Sequence, residues 1–317
     1  MKVLLATLPI VLLLGTFAVV AVAQNPDEAP APCRVQVKTA LERIAPAYAG
    51  KTRKIAASAP GSIEGAIWGY APPKFHDVNE GTLGPAKAAG TCPSEMALSG
   101  GGRFCVDRWE GYLVTRDGDG TESVLSPYAP PPSDRVAIAR SASGVVPQGY
   151  ISPKAAEAAC HAAGKRLCAP VEWRAACGGS EGTAYPYGPT KIAGKCHDSG
   201  ASPMLAYHLD TMKRGWGAEE LNDPRNNQLA DALAKTGAFP DCVTDQGVYD
   251  MVGNLDEWTA DTNGTFQGGY WLDTSQHGEG CAYRTVAHGY EYKDYSTGFR
   301  CCAEPTDRGS ASPVTVR

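Results

Sequence analysis

Short apolar segments separated by turns dominate the chain from Cys92 onward. These segments are rich in aromatic and β-branched residues, which is typical of strands. The run at residues 117–120 (DGDG) has the composition of a hairpin turn. The pattern predicts four strands, at residues 104–114, 266–271, 283–287 and 298–302.

Two helices are predicted between these strands. Ser152 is a suitable N-cap, Pro153 fits the first helical position, and the alanine-rich residues 154–163 end at Gly164. A second, shorter helix is predicted at residues 170–177, before a pair of glycines.

The residues between these predicted strands and helices are expected to form long loops. Residues 195–237 are rich in Gly, Asn and Asp with little alternation, although residues 227–235 have the composition of a short helix. Small sheets, two short helices and long loops indicate an α+β fold.

The N-terminus has a different character. A lysine precedes an apolar run at residues 3–22, which ends in Ala-Val-Ala and predicts a secretory signal cleaved after Ala23. The alternative is an uncleaved anchor, because the run approaches the roughly 20 residues that span a bilayer. Membrane contact is expected only in that case. The predicted organisation is a signal peptide at 1–23, an Ala/Pro/Gly-rich segment at 24–90, a main domain at 91–305 and a tail at 306–317.

Charge and cysteine content narrow the class of protein. The net charge is −5 and the basic residues are scattered, so no nucleic-acid partner is expected. The chain has 11 cysteines and no Cys-x-x-Cys pair, which favours disulfides over structural zinc. Together with the signal, this predicts an extracytoplasmic location, either periplasmic or secreted. The odd number leaves at least one thiol outside the intrachain pairs.

Residues 247–258 (GVYDMVGNLDEW) combine apolar side chains with three carboxylates, those of Asp250, Asp256 and Glu257. A Gly-Asn turn lies between them and can aim backbone carbonyls inward. Hard oxygen ligands of this kind suit calcium. The alternative is a turn whose acids face water, since the ligand spacing of an EF-hand is absent.

Four stretches resemble, in order, motifs of one enzyme family. Residues 164–177 (GKRLCAPVEWRAAC) resemble GKRLPTEAEWEYAC, residues 253–258 (GNLDEW) resemble GNVWEW, residues 267–271 (QGGYW) resemble RGGSW, and residues 298–301 match GFRC. The family that the chain resembles is that of the sulfatase-modifying factors, the formylglycine-generating enzymes. The resemblance covers roughly residues 92–305. It implies a disulfide-rich, C-type-lectin-like domain of the formylglycine-generating type.

The resemblance also implies a chemistry, from which this chain departs. In that family, a sulfatase cysteine is oxidised by oxygen to formylglycine at a copper ion held by two thiolates after the Gly-Gly motif. Those positions fall on Asp273 and Gly278 here. Copper(I) requires soft ligands, so copper is not expected.

A structural calcium ion is implied at the Gly-Asn turn. By resemblance, Gly253 and Leu255 supply backbone carbonyls, and Asp250 and Glu257 supply side-chain oxygens. Asp256 stands where the family has an aromatic residue.

The resemblance further implies a disulfide pattern. Two pairs match pairs of the family directly. A third joins Cys168, which stands where the family has a proline, to Cys302, and two more pairs complete the set. The pairs are Cys160–Cys301, Cys177–Cys281, Cys168–Cys302, Cys92–Cys105 and Cys196–Cys242, with Cys33 left over.

Three functional interpretations remain open. The favoured one is a calcium-stabilised binding or scaffolding module for an unidentified protein or glycan. The second is an oxygen-dependent oxidase with other ligands, drawn from His277, Cys281 and His288. The third is a lectin-like glycan-binding domain that uses exposed aromatic residues: Tyr270, Trp271, Tyr283, Tyr290, Tyr292 and Tyr295. Burial of those aromatic residues in the core is the competing explanation.

Overall fold

A computed structural model of the protein describes residues 82–84 and 90–306. The predicted signal peptide, nearly all of the Ala/Pro/Gly-rich segment, the tail beyond Thr306 and Cys33 lie outside the described residues. Within the described part of the chain, no helix is both long and apolar enough to cross a membrane.

The described residues form short strands and helices in the following order. The strands are β1 Met96–Ser99, β2 Phe104–Asp107, β3 Gly111–Arg116, β4 Glu122–Val124, β5 Ile138–Ser141, β6 Arg166–Leu167, β7 Asp256–Trp258, β8 Phe266–Gln267, β9 Arg284–Thr285, β10 Thr297–Phe299 and β11 Cys301–Ala303. The α-helices are α1 Pro153–Ala162, α2 Pro170–Gly178, α3 Pro203–Tyr207 and α4 Ala218–Leu221, and 3-10 turns lie at Met212–Arg214, Asn226–Gln228 and Gly280–Ala282.

The strands build three small sheets. One has the order β1-β2-β11-β6 and is antiparallel, with Cys302 of β11 opposite Val106 of β2. The second has the order β10-β7-β8-β9, in which β10 and β7 run parallel. The third is the antiparallel sheet β4-β3-β5. Because β11 pairs with β2, the end of the domain is joined to its beginning.

Two predicted strands each divide into two strands of different sheets. Residues 104–114 become β2 and β3, and the break contains the fully buried Glu110. Residues 298–302 become parts of β10 and β11, and the break is the fully buried Arg300. In both cases the chain leaves one sheet where a charged side chain enters the interior.

The other predicted elements also differ in extent. Strand β8 stops after Gln267 because Gly268 and Gly269 adopt left-handed φ angles of 94° and 73°. Helix α1 begins as predicted, with the Ser152 hydroxyl accepting a hydrogen bond from the backbone N–H of Ala155 at 3.3 Å. The helix considered for residues 227–235 does not form, and Asp231 in its middle has a left-handed φ of 61°.

Disulfides cross the hydrophobic core of the domain. Three tryptophans, Trp173, Trp258 and Trp271, each anchor a separate cluster of buried side chains. The described residues form the same five cysteine pairs that the resemblance implies: Cys92–Cys105, Cys160–Cys301, Cys168–Cys302, Cys177–Cys281 and Cys196–Cys242. The predicted α+β class, with small sheets, short helices and long loops, is confirmed.

Candidate functional site

The Gly253-Asn254 turn lies in the interior at the start of β7. Gly253 and Asn254 have left-handed φ angles of 81° and 59°. A Cβ atom on Gly253 would overlap the carbonyl oxygen of His197, so only glycine fits there. The Asn254 N–H donates to the same carbonyl at 3.0 Å, which fixes the turn against the neighbouring loop.

Glu257 forms a buried ion pair with Arg300. The Nε atom of Arg300 lies 2.6 Å from Oε2 of Glu257, and Nη2 lies 2.6 Å from Oε1. The indole Nε1 of Trp173 also donates to Oε2, at 2.7 Å. All three side chains are at most 1% exposed. The guanidinium additionally donates to the backbone carbonyls of Asp107, in β2, and of Tyr249, in the segment before the turn, so it connects the turn to β2.

Two further carboxylates lie within electrostatic range of this pair. Glu110 is fully buried, and its Oε2 accepts a hydrogen bond from Nδ2 of Asn254 at 2.6 Å. Its Oε1 has no hydrogen-bond partner among the described residues. Burial raises the pKa of Glu110 well above its usual range, and the charges of Asp250 and Glu257 raise it further. Burial likewise raises the pKa of Asp250 to about 6, although a hydrogen bond from the N–H of Gly237 acts in the opposite direction and lowers this pKa.

The charges of this cluster would be unbalanced with all three carboxyls ionised, a state that the raised pKa values of Glu110 and Asp250 oppose. Glu110, Asp250 and Glu257 carry three negative charges when ionised, and Arg300 supplies one positive charge. A divalent cation would balance the difference. Each carboxylate oxygen can accept two hydrogen bonds; Oε2 of Glu257 already accepts two and Oε1 accepts one. The predicted donor set therefore fits calcium, with Glu257 binding through Oε1 alone.

Calcium binding stays a prediction. No group of three or more His, Cys, Asp or Glu side chains among residues 82–84 and 90–306 is arranged to hold a metal ion. The predicted site does not need such a group, since Gly253 and Leu255 would supply two of its ligands as backbone carbonyls. Bound calcium would act there as a structural ion that cross-links the turn.

Asp256 belongs to a different environment from Glu257. Adjacent strand residues point to opposite faces of a sheet, and Asp256 lies in the field of Asp294 and Asp273. It is 2% exposed, and its Oδ1 has no partner among the described residues. Burial, followed by these two negative charges, raises the pKa of Asp256 well above its usual range.

The two positions of the family's copper thiolates have acquired structural roles. Oδ1 of Asp273 accepts hydrogen bonds from the N–H groups of Ser275 and Gln276 at 2.9 and 3.0 Å. Its Oδ2 accepts from the hydroxyl of Tyr283 at 3.2 Å. Gly278 has a φ of 114°, and a Cβ there would overlap the carbonyl oxygen of Ala282. This loop geometry does not accommodate a cysteine at position 278.

The alternative ligands considered for an oxidase do not supply a thiolate. The sulfur of Cys281 is bonded to Cys177. The imidazole of His288 packs against Phe266 and Tyr292, with ring centroids 4.6 and 4.7 Å apart. Burial lowers the pKa of both His288 and His277. The structure therefore places these three side chains in a disulfide and in aromatic packing.

The predicted aromatic surface is largely part of the core. Of the six aromatic residues considered for glycan binding, Tyr290 is the exposed one, at 49%. The other five are buried or half-buried: Tyr270, Trp271, Tyr283, Tyr292 and Tyr295.

Glu110 was not identified from the sequence as part of this site. Its signal was present, because a carboxylate within the apolar run at residues 104–114 either faces water or needs a buried partner. The partner, Asn254, is 144 residues away along the chain.

Comparison with solved structures finds distant similarities. The Major Tropism Determinant I1 variant is 15% identical, with 68% of this chain and 54% of that chain covered and a TM-score of 0.39. The U1 variant is 18% identical, with coverages of 69% and 55% and a TM-score of 0.36. CarF is 20% identical, with coverages of 62% and 58% and a TM-score of 0.28. This chain thus spans little more than half the length of these proteins.

Comparison with protein sequences gives a clearer result. No curated protein matches the chain. Residues 115–313 match the family described as the sulfatase-modifying factor enzyme 1-like domain. These residues make up more than half of the chain, and they include the turn, the buried ion pair and four of the five disulfides. The chain therefore belongs to the sulfatase-modifying factor enzyme 1-like domain family.

Proposed function

We propose that this chain is an exported member of the family that binds a partner instead of oxidising a substrate. It serves as a calcium-stabilised binding or scaffolding module for a protein or glycan. The state of the cysteines is the observation that carries this proposal.

A copper site of the family type needs two thiolates. Ten of the 11 cysteines are paired in disulfides within the described residues, and Cys33 is the one cysteine outside these pairs. One remaining thiol cannot supply two ligands. The hydrogen bonds of Asp273 and the lack of space at Gly278 give the same conclusion for the loop that holds copper in the family.

The disulfides and the apolar run near the N-terminus both support export. Five disulfides in the described residues indicate an oxidising, extracytoplasmic environment. The apolar run at residues 3–22 supports delivery there through a secretory signal. Ligands in that compartment include other exported proteins and glycans.

Calcium gives the module its stability in this proposal. The ion would bind the carbonyls of Gly253 and Leu255 and the carboxylates of Asp250 and Glu257. It would favour the ionised forms of Glu110 and Asp250, whose pKa values burial raises in its absence. The function of such an ion is to hold the turn, and with it the loops around β7, in one conformation.

A copper(I) competition titration tests the proposal. The non-reduced protein is titrated against a chromophoric copper(I) chelator, and a copper-dependent formylglycine-generating enzyme serves as the positive control. Thiols are counted in parallel under denaturing, non-reducing conditions. The proposal predicts no competition and at most one thiol per chain. Stoichiometric competition together with two or more thiols would overturn it.

A further inference from the structure

We infer that Asn263 is a site of N-linked glycosylation, which is modified while the chain is still unfolded. Asn263, Gly264 and Thr265 form an Asn-x-Thr segment whose middle residue is not proline, and no other asparagine of the sequence begins an Asn-x-Ser/Thr segment. Such segments are the acceptors of oligosaccharyltransferases in exported proteins. The inference goes beyond the binding role and rests on the export proposed above.

The acceptor asparagine lies at an exposed position of the fold. Asn263 belongs to the turn that connects β7 with β8, and its side chain is exposed. Its backbone is held from two directions, because its N–H donates to the carboxylate of Asp261 and its C=O accepts from the N–H of Ala287 at 2.7 Å. Both bonds involve backbone groups of Asn263, so a glycan on its side chain is compatible with the folded turn.

The fold explains the glycine of this segment but not the hydroxyl of the threonine. Gly264 has a left-handed φ of 60°, and a Cβ there would overlap the carbonyl oxygen of His288. Thr265 is 1% exposed, and its Oγ1 has no hydrogen-bond partner among the described residues. A buried hydroxyl without a partner costs free energy, which a valine at the same place would avoid. Recognition of the hydroxyl by a transferase accounts for the threonine.

Burial of Thr265 also determines when the modification occurs. A transferase that recognises the acceptor segment needs access to the threonine hydroxyl. In the folded protein the carbonyl of Thr265 accepts hydrogen bonds from the N–H and the hydroxyl of Thr259, both at 3.0 Å, which extends the pairing of β7 with β8. The transferase therefore acts before these strands pair, and the attached glycan then remains at the exposed turn.

The second substrate is an oligosaccharide joined to a membrane lipid through a diphosphate. The side-chain amide nitrogen of Asn263 attacks the anomeric carbon of the first sugar. A bond forms between this nitrogen and that carbon, and the bond between the carbon and the diphosphate oxygen breaks. The lipid diphosphate leaves with the electron pair of the broken bond, and one amide proton passes to a base of the transferase.

An in vitro transfer assay tests the inference. The full chain, either reduced and alkylated or native with its disulfides, is incubated with a purified single-subunit oligosaccharyltransferase and its lipid-linked oligosaccharide. Mass spectrometry of the peptide that contains Asn263 gives the glycosylated fraction. The alkylated chain should be modified and the native protein should not. Absence of transfer to the alkylated chain would overturn the site, and equal transfer to both forms would overturn the order of events. The signal peptide plays no part in this assay, so its result is separate from any test of export.

Variants of the threonine separate recognition from structure. Thr265→Val should abolish transfer to the alkylated chain, while its folded, unmodified form should be at least as stable in urea as the wild type, because the lost hydroxyl has no partner. Thr265→Ser keeps the hydroxyl and should retain transfer. The matched control is Thr262→Val, at an exposed threonine outside the acceptor segment, which should be modified like the wild type. Transfer that persists in Thr265→Val, or a marked loss of its stability, would contradict the assigned role of the hydroxyl.

Discussion

Arg300 and Glu257 form a two-point ion pair in the interior, with both nitrogen–oxygen distances at 2.6 Å and both side chains at most 1% exposed. Arg300 lies between β10 and β11, and Glu257 lies in β7. The pair therefore joins two sheets at the Gly-Asn turn. Burial raises the pKa of two neighbouring carboxyls, Glu110 and Asp250, and a calcium ion bound at the turn would favour their ionised forms.

Removing one member of this pair should be strongly destabilising. Glu257→Gln, measured in chelator, should lower the free energy of unfolding by about 3–5 kcal/mol, because the guanidinium remains buried without its counter-charge. Urea denaturation gives the value. Glu291→Gln is the control, since it breaks an exposed pair with Lys154 and should cost no more than about 1 kcal/mol. Equal effects of the two variants would contradict the buried-pair account.

Chelation should lower the melting temperature of the wild type, since an ion bound to the folded state stabilises it by mass action. Glu257→Gln and Asp250→Asn should show a smaller difference between calcium and chelator. Differential scanning calorimetry at matched ionic strength measures the effect. Identical melting curves for the wild type with and without chelator would exclude a stabilising calcium ion.

Two neighbouring disulfides should contribute non-additively to the free energy of unfolding. Cys160–Cys301 and Cys168–Cys302 have sequence separations of 141 and 134. Once one bond exists, the second closes a ring of only roughly ten residues, for which the chain-entropy model gives about 3 kcal/mol. Loss of both should cost about 6–7 kcal/mol, because the remaining term is closure of a ring of roughly 35 residues that also runs through Cys177–Cys281.

A double-mutant cycle checks this prediction, with Cys-to-Ala replacement of each pair separately and of both pairs together. The combined loss should exceed the sum of the separate losses by about 1 kcal/mol, since Cys177–Cys281 remains in every variant. Strict additivity would show that the two bonds act on independent parts of the unfolded chain.

Asp256 should make stability fall with increasing pH. Because burial raises the pKa of the folded-state carboxyl, the folded protein holds this proton more tightly than the unfolded chain. The resulting stability is fully present below the unfolded pKa of about 3.9 and is lost as pH rises through the folded pKa. Asp256→Asn has no such loss, so its melting temperature should rise relative to wild type as the pH is raised above about 4. The control Asp134→Asn removes an exposed acid, so the difference between its melting temperature and that of the wild type should not change with pH.

Local features were the most predictable from sequence. The N-terminal ends of α1 and α2 follow from Ser152, Pro153 and Pro170, whose effects act within one helical turn. The family resemblance supplied longer-range expectations, including the cysteine pairs. The breaks after β2 and β10 were not predictable, since they depend on Glu110 and Arg300 meeting partners distant in sequence.

Only part of the candidate site could be predicted from the sequence, because some of its side chains are distant in sequence and meet only in the folded chain. The sequence indicated Asp250 and Glu257 as neighbours in one turn, and the structure places both beside Arg300. It also grouped Asp256 with them, although strand alternation sends that side chain to the opposite face. Glu110 completes the cluster from another strand junction, which periodicity within one segment cannot reveal.

An assay for aldehyde formation by the purified, disulfide-bonded protein tests most directly whether the chain binds a partner instead of oxidising a substrate. A peptide with the sulfatase cysteine motif is incubated with the protein, copper and a mild reductant, and the product is analysed by mass spectrometry beside a formylglycine-generating enzyme. The absence of a thiolate pair predicts unmodified peptide here and aldehyde in the positive control. Aldehyde formed by this protein, and absent after heat inactivation, would contradict its assignment as a binding module.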